Sequence, residues 1–184
     1  MPTDETLLPP LQVPENVRRV LGDFLRAARE AFAEGDLLSV VLYGSAAEGR
    51  MRATSDVNVI LVLARFDPAA ATRLTDPLRR AEAAVRLRAM FLLEAEVADA
   101  AAAFALKFAD LAARHVVLFG RDFFSGLAVP REARIFRLRQ VLLNTTLRLR
   151  EALVIDSRFE ERLALLVAET AGPLRSAAVT LREL

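Results

Sequence analysis

Cysteine and tryptophan are absent from this 184-residue chain, histidine and tyrosine occur once each, and Lys107 is the only lysine. The missing cysteines exclude disulfide frameworks, thiolate metal sites and cysteine nucleophiles. A lone His115 excludes a multi-histidine zinc or di-iron centre within one chain. Net charge is nearly absent too: 25 basic side chains against 24 acidic ones leave +1. The chain therefore has no global field for nucleic acid or anionic membrane, although local patches remain open to it. No window approaches the 18 uncharged apolar residues of a membrane span, since the Ala-rich 97–106 stretch carries Asp99 and is too short. The start, Met1-Pro2-Thr3-Asp4-Glu5-Thr6, is acidic where a secretory signal is basic. These absences predict a soluble, cytoplasmic chain without a membrane partner.

What is present is an apolar globular composition, 54% hydrophobic, in which almost every base is arginine. Such a chain can bury enough surface to offset its ordering entropy. Abundant Ala, Leu and Arg point to a GC-rich, bacterial genome and say nothing of function. Residues 1–13 read as an N-terminal arm without periodicity. From Pro14 to Glu34, Val17, Leu21, Phe24, Ala28 and Phe32 recur at helical spacing. Residues 37–43 and 57–63 are short β-branched runs that predict buried strands, separated by a polar loop over 44–55. Asp67-Pro68 opens a helix of roughly 68–84. The strict alternation of 85–93 predicts a strand with one wet face, and an Ala-rich helix to about 103 follows. Residues 104–111 fit strand or helix, and 115–119 predict a strand. After Pro130 the apolar spacing is helical (Ile135, Leu138, Leu142, Thr145, Leu149), and 157–184 is helical with an interruption near Gly172-Pro173. The organisation expected is an α/β domain over 14–125 and a helical region over 130–184.

Chemistry concentrates in Tyr43-Gly44-Ser45, ten further residues, and Asp56-Val57-Asn58. Gly44 allows close backbone approach, and Ser45 offers a hydroxyl and an amide to a phosphate. Asp56 and Asn58, two apart on a strand, project from one face. Side-by-side oxygens are what a hard cation carrying a triphosphate takes as ligands.

A strand ending in Gly-Ser, ten residues, and then Asp-x-Asp opening the next strand is the signature of the DNA polymerase β-like nucleotidyltransferases. This chain resembles that superfamily over about 14–120, and most of all its minimal and aminoglycoside-modifying members. The resemblance implies an α/β (α+β) fold, a mixed sheet flanked by helices, with a helical region appended. It implies Mg²⁺, a nucleoside triphosphate, and transfer of a nucleoside monophosphate to a hydroxyl acceptor. Gly44, Ser45, Arg50, Arg52 and Lys107 would then contact the nucleotide, and Asp56, Asn58 and Asp110 the metal, with Asp56 and Asn58 at the reacting phosphate.

Two departures weaken the transferase. Asn58 stands where the family has a second carboxylate, and a neutral amide cannot bridge two cations. The third acid, which some relatives carry on a strand ahead of a segment like His115-Val116-Val117-Leu118-Phe119-Gly120, aligns with Lys107, leaving Asp110 or Glu94 as substitutes. An ammonium there would neutralise a phosphate without metal. The alternative is thus a catalytically silent nucleotide-binding or protein-interaction module, paired with a second copy or with another protein.

Simpler explanations accompany each feature. Arg50 and Arg52 fit phosphate contacts and solvated loop residues equally. His115 beside a β-branched run is expected to be structural. Residues 131–150 carry six Arg against Glu132 alone. Without interleaved aromatics, an amphipathic helix complementing the acidic 151–169 stretch explains this better than nucleic acid does. No histidine follows His115, so the tail lacks the Arg and His pair of the helical ribonuclease that partners minimal nucleotidyltransferases.

Overall fold

Strand propensity is densest at Leu37–Tyr43 and Val57–Leu63, and these two segments form the centre of the sheet. In a computed structural model, which describes residues 8–52, 55–156, 158–182 and 184, the elements run α1 (Glu15–Ala31), β1 (Leu37–Tyr43), a 3₁₀ turn (Gly44–Ala46), β2 (Val57–Leu63), α2 (Pro68–Arg73), α3 (Thr75–Val85), β3 (Leu87–Leu93), a second 3₁₀ turn (Glu94–Glu96), α4 (Val97–Ala103), α5 (Ala105–Ala113), β4 (His115–Gly120), α6 (Arg131–Asp156) and α7 (Glu160–Arg182). The sheet order is β3-β2-β1-β4. β1 pairs antiparallel with β2 and with β4, whereas β2 pairs parallel with β3 in unbroken register from Val57↔Leu87 to Leu63↔Leu93. The α2–α3 segment makes the crossover that a parallel pair requires. The chain thus forms the mixed sheet flanked by helices, with helices after it, that the sequence predicts.

The chain divides into two compact units. One holds the residues up to Asp99 together with Asp110–Leu127, and the other holds Ala100–Ala109 and Ala128–Leu184. In the first unit α1 turns Val17, Leu21, Phe24, Leu25 and Ala28 inward, as their spacing dictates. They join Val40 and Leu42 of β1, Val57, Val59 and Leu61 of β2, and Leu87 of β3 in a single core. Strand alternation sends Val41, Ile60 and Val62 to the opposite face, where they are also fully buried. Burial on both faces explains why β1 and β2 are apolar at almost every position, Ser39 and Asn58 excepted. In the second unit α6 packs against α7.

Three boundaries differ from the sequence expectation. The helix over 68–84 is two helices joined at Leu74, because Pro77 lacks the amide that would bond back to Arg73, and proline suits a helix's first turn. The strand begins at Leu87, since Val85 closes α3 and Arg86 caps it in the left-handed region, φ 56°. Gly172-Pro173 does not interrupt α7. Residues Ala171–Arg175 are exposed, so water can take the carbonyl that Pro173 leaves without a donor. The ambiguous 104–111 stretch lies mostly in helix α5.

Candidate functional site

The loop end of the sheet gathers the residues that the motif singles out. β1 closes on Gly44, at φ 76°, and a side chain built there would meet nothing within 4 Å. Gly44 is therefore set by its backbone angle, and open space lies in front of it. Its amide donates to the Arg114 carbonyl at 3.1 Å, and the 3₁₀ turn that it opens brings the Arg50 amide to the Ser45 carbonyl at 2.9 Å. Further along the loop Arg52 and Ser55 close a small turn, with the Arg52 amide donating to the Ser55 hydroxyl at 3.0 Å. Arg50 and Arg52 are exposed. The neighbouring positions 53 and 54 lie outside the described residues.

Asp56 precedes β2 and Asn58 lies within it. Asn58 is in register with Tyr43 on one side and with Arg88 on the other, and Tyr43 is in register with His115. Residues paired across a ladder share a face. One polar row therefore crosses the whole sheet: Arg88, Asn58, Tyr43, His115. Two residues earlier, just ahead of the ladder, the same alignment sets Arg86 beside Asp56. The Val57 amide donates to the Arg86 carbonyl at 3.3 Å, and the Arg86 Nε–H donates to the Asp56 carboxylate at 2.8 Å. Asp-x-Asn and Arg-x-Arg thus lie side by side, residue for residue.

The other candidate acids also meet arginines. Arg114 is shared between Glu48, at 2.9 Å, and Asp110, one turn away on α5, while Arg121 holds Glu94. Among the described residues no three Asp, Glu, His or Cys side chains cluster as a metal site would need. The donor set at β2 is one carboxylate and one amide beside two guanidiniums, and that does not fit a two-metal centre. Lys107 lies in helix α5 rather than on a strand. Burial pulls its ammonium below the ordinary lysine value.

Arg86 and Arg88 are the site residues that sequence reasoning missed. Their signal was the alternation of 85–93, which predicted a wet face but not its neighbour. Only the β2–β3 register shows that the wet residues stand against Asp56 and Asn58. Beside them a groove of about 410 Å³ is lined by Pro14, Asn16, Met51, Arg52, Ser55 and Arg86, among others.

The His115 ring has a partner at both nitrogens. Its Nδ1 lies 2.9 Å from the Leu111 carbonyl, and its Nε2 lies 3.1 Å from both oxygens of Asp122. Asp122 also accepts from the amides of Phe124 and Ser125, at 2.8 and 3.0 Å, and from the Ser125 hydroxyl. Burial raises the Asp122 pKa, but these hydrogen bonds outweigh it and hold the carboxyl well below the usual range. Burial also pushes the Tyr43 phenol above its ordinary value.

The sequence matches no protein-family model, and no curated protein matches it. Among solved structures, the chain is similar to one in a toxin–antitoxin structure with AMP-PNP, at 14% identity and TM-score 0.37, covering 73% of this chain and 94% of that one. It is similar to a protein described as a candidate nucleotidyltransferase from Sulfolobus solfataricus, at 19% identity and TM-score 0.37, covering 62% and 92%. A complex of a tri-AMPylated HEPN toxin of Shewanella oneidensis with an MNT antitoxin gives 11% identity and TM-score 0.36, covering 77% and 97%. No helix among the described residues is long and apolar enough to cross a membrane.

Proposed function

We propose that this chain is a nucleotidyltransferase-like module that binds the phosphate chain of a nucleoside triphosphate through arginines, without metal-dependent transfer. The observation that carries this reading is the register of Asp56-Val57-Asn58 against Arg86-Leu87-Arg88. A guanidinium offers planar, paired donors to phosphate oxygens and keeps its charge at any physiological pH. Where a transferase gathers carboxylates to hold cations, this chain places the cations itself, as side chains. Gly44 and Ser45 would leave room for the phosphates and offer the hydroxyl, and Arg50 and Arg52 would close over them from the loop. The ion pairs of Arg86 with Asp56 and Arg88 with Glu82 are more than a third exposed on both partners, so an incoming phosphate can displace either acid at small cost.

The Gly44-Ser45 and Asp56 geometry also supports the transferase reading, in which a nucleoside monophosphate passes to a hydroxyl on a protein or small molecule in the presence of Mg²⁺. Calorimetric titration of ATP with Mg²⁺ and then with EDTA separates the two. Equal affinity in both, lost on Arg86→Gln/Arg88→Gln, is the expected result. Binding that needs Mg²⁺, or nucleotide transfer by the unmodified chain, would overturn the silent module.

A further inference from the structure

A helix that packs on one neighbour needs one apolar stripe, and α6 carries two. Ile135, Leu138, Thr145 and Leu149 step along one side, where Leu138 is buried and the other three are half-buried. On the opposite side Phe136, Leu143, Leu147 and Val154 recur at intervals of seven, four and seven, and they are 71%, 59%, 52% and 81% exposed. At 1.5 Å per residue this second stripe is about 27 Å long. Its spacing is that of a coiled-coil seam. An apolar strip of this length on a solvated helix marks an interaction surface.

We propose that the stripe is the seam of a homodimer in which α6 of two copies packs antiparallel about a two-fold axis that crosses the seam at the level of residue 145, between Leu143 and Leu147. The sequence is self-complementary under that reversal. Pairing each residue with the one equally far beyond Thr145 sets Phe136 against the partner's Val154 and Leu143 against the partner's Leu147. The one polar layer sets Gln140 against the partner's Arg150, an acceptor against a donor. Large meets small, polar meets polar, and the symmetry makes every layer twice. Beside the seam, Arg137 and the partner's Glu151 fall on the same flank with opposite charge, again twice. A parallel pairing would instead set Arg150 against its own copy inside the seam, where like charges repel. This inference is independent of the site at Asp56.

The test is sedimentation of the full chain from ~1 to ~100 µM, the range that separates micromolar dimers from monomers. The unmodified chain is expected to sediment at twice the monomer mass. Leu143→Glu/Leu147→Glu should be monomeric with unchanged helical circular dichroism. Arg137→Glu should weaken the dimer roughly tenfold, and adding Glu151→Arg should recover it, as two exposed pairs lost and regained would. Because the chain has no cysteine, Asn144→Cys, beside the axis, should give a disulfide-linked dimer on mild oxidation. Gln140→Cys, about 15 Å from its own copy by helical rise, should not. A monomeric unmodified chain, or a Gln140→Cys link that forms faster than that of Asn144→Cys, would overturn the proposal. If the leucine variant fails to fold, the charge exchange and the two cysteines decide.

Discussion

Arg88 lies directly across the parallel β2–β3 ladder from Asn58. A strand neighbour in register is the nearest available place for a third metal ligand, and this chain fills it with an arginine, whose guanidinium meets Glu82. Two changes are therefore needed to favour a cation at Asp56: a charge gained at Asn58 and a charge lost at Arg88.

This yields the first prediction. Asn58→Asp alone should gain little, because Arg88 would neutralise the new carboxylate. Asn58→Asp/Arg88→Ser should turn nucleotide binding from metal-indifferent to metal-dependent by about tenfold or more, some 1.4 kcal/mol. Titration with Mg²⁺ and with EDTA measures it. A single Asn58→Asp variant with the full effect would mean that Arg88 does not influence the site.

Arg86 separates binding from stability. It is the only residue other than glycine with positive φ among those described, and it caps α3 with its amide on the Glu82 carbonyl at 2.8 Å. Glycine adopts that angle without the cost of about 1 kcal/mol that a side chain incurs there. The exposed pair with Asp56 contributes about 0.5 kcal/mol at most. Arg86→Gly should therefore leave thermal stability unchanged or slightly raised, while triphosphate affinity falls about tenfold, the loss of one charge-assisted contact. Unfolding and titration on the same preparation check both halves. A variant that binds normally would remove Arg86 from the site.

The strands β1, β2 and β4 were legible because short β-branched runs, ended by Gly44 and Gly120 in β1 and β4 and opened by the polar loop over 44–55 in β2, leave few other solutions. The break at Leu74 was less so, since the apolar period runs straight through it and only Pro77 marks it. Asp56 and Asn58 were visible as a pair because residues two apart along an extended chain share a face. Their arginine neighbours were not, because the β2–β3 register depends on how the α2–α3 crossover returns the chain. Thirty residues of separation hide that from any local pattern. Lys107 was misplaced for a related reason: a short apolar stretch such as Phe104–Leu111 satisfies strand and helix alike until its packing decides.

Asp122 sets an acid dependence of stability. Burial raises its pKa, but the Ser125 hydroxyl, the Phe124 and Ser125 amides and the His115 ring together depress it. A carboxyl lower in the folded than in the unfolded chain adds stability that is fully present above the unfolded value, about 3.9, and is lost as pH falls from there toward the folded value. Asp122→Asn removes this contribution. The gap in melting temperature between the unmodified chain and Asp122→Asn should be constant near neutrality and narrow below pH ~4. A gap that persists undiminished into strong acid would show that the carboxylate is not what the loop holds.

The close approach of Gly120 to β1 gives the largest single effect predicted. Gly120 ends β4 at φ 77°, and a methyl group on it would collide with the Leu38 carbonyl oxygen and come 2.8 Å from its carbon and 3.0 Å from the Ser39 Cα. That backbone belongs to β1, which is bonded on both sides, and it cannot retreat without breaking either ladder. The Ser39 hydroxyl, buried and donating to the Phe119 carbonyl at 3.1 Å, fixes the same corner. Gly35 makes the control, since at φ 83° its methyl group would meet nothing within 4 Å. Gly35→Ala should cost about 1 kcal/mol for the backbone angle alone. Gly120→Ala should add the clash to that angle and cost about 3 kcal/mol or more. Urea unfolding of the two variants side by side measures the difference, and equal costs would mean that β4 does not approach β1 as closely as this register requires.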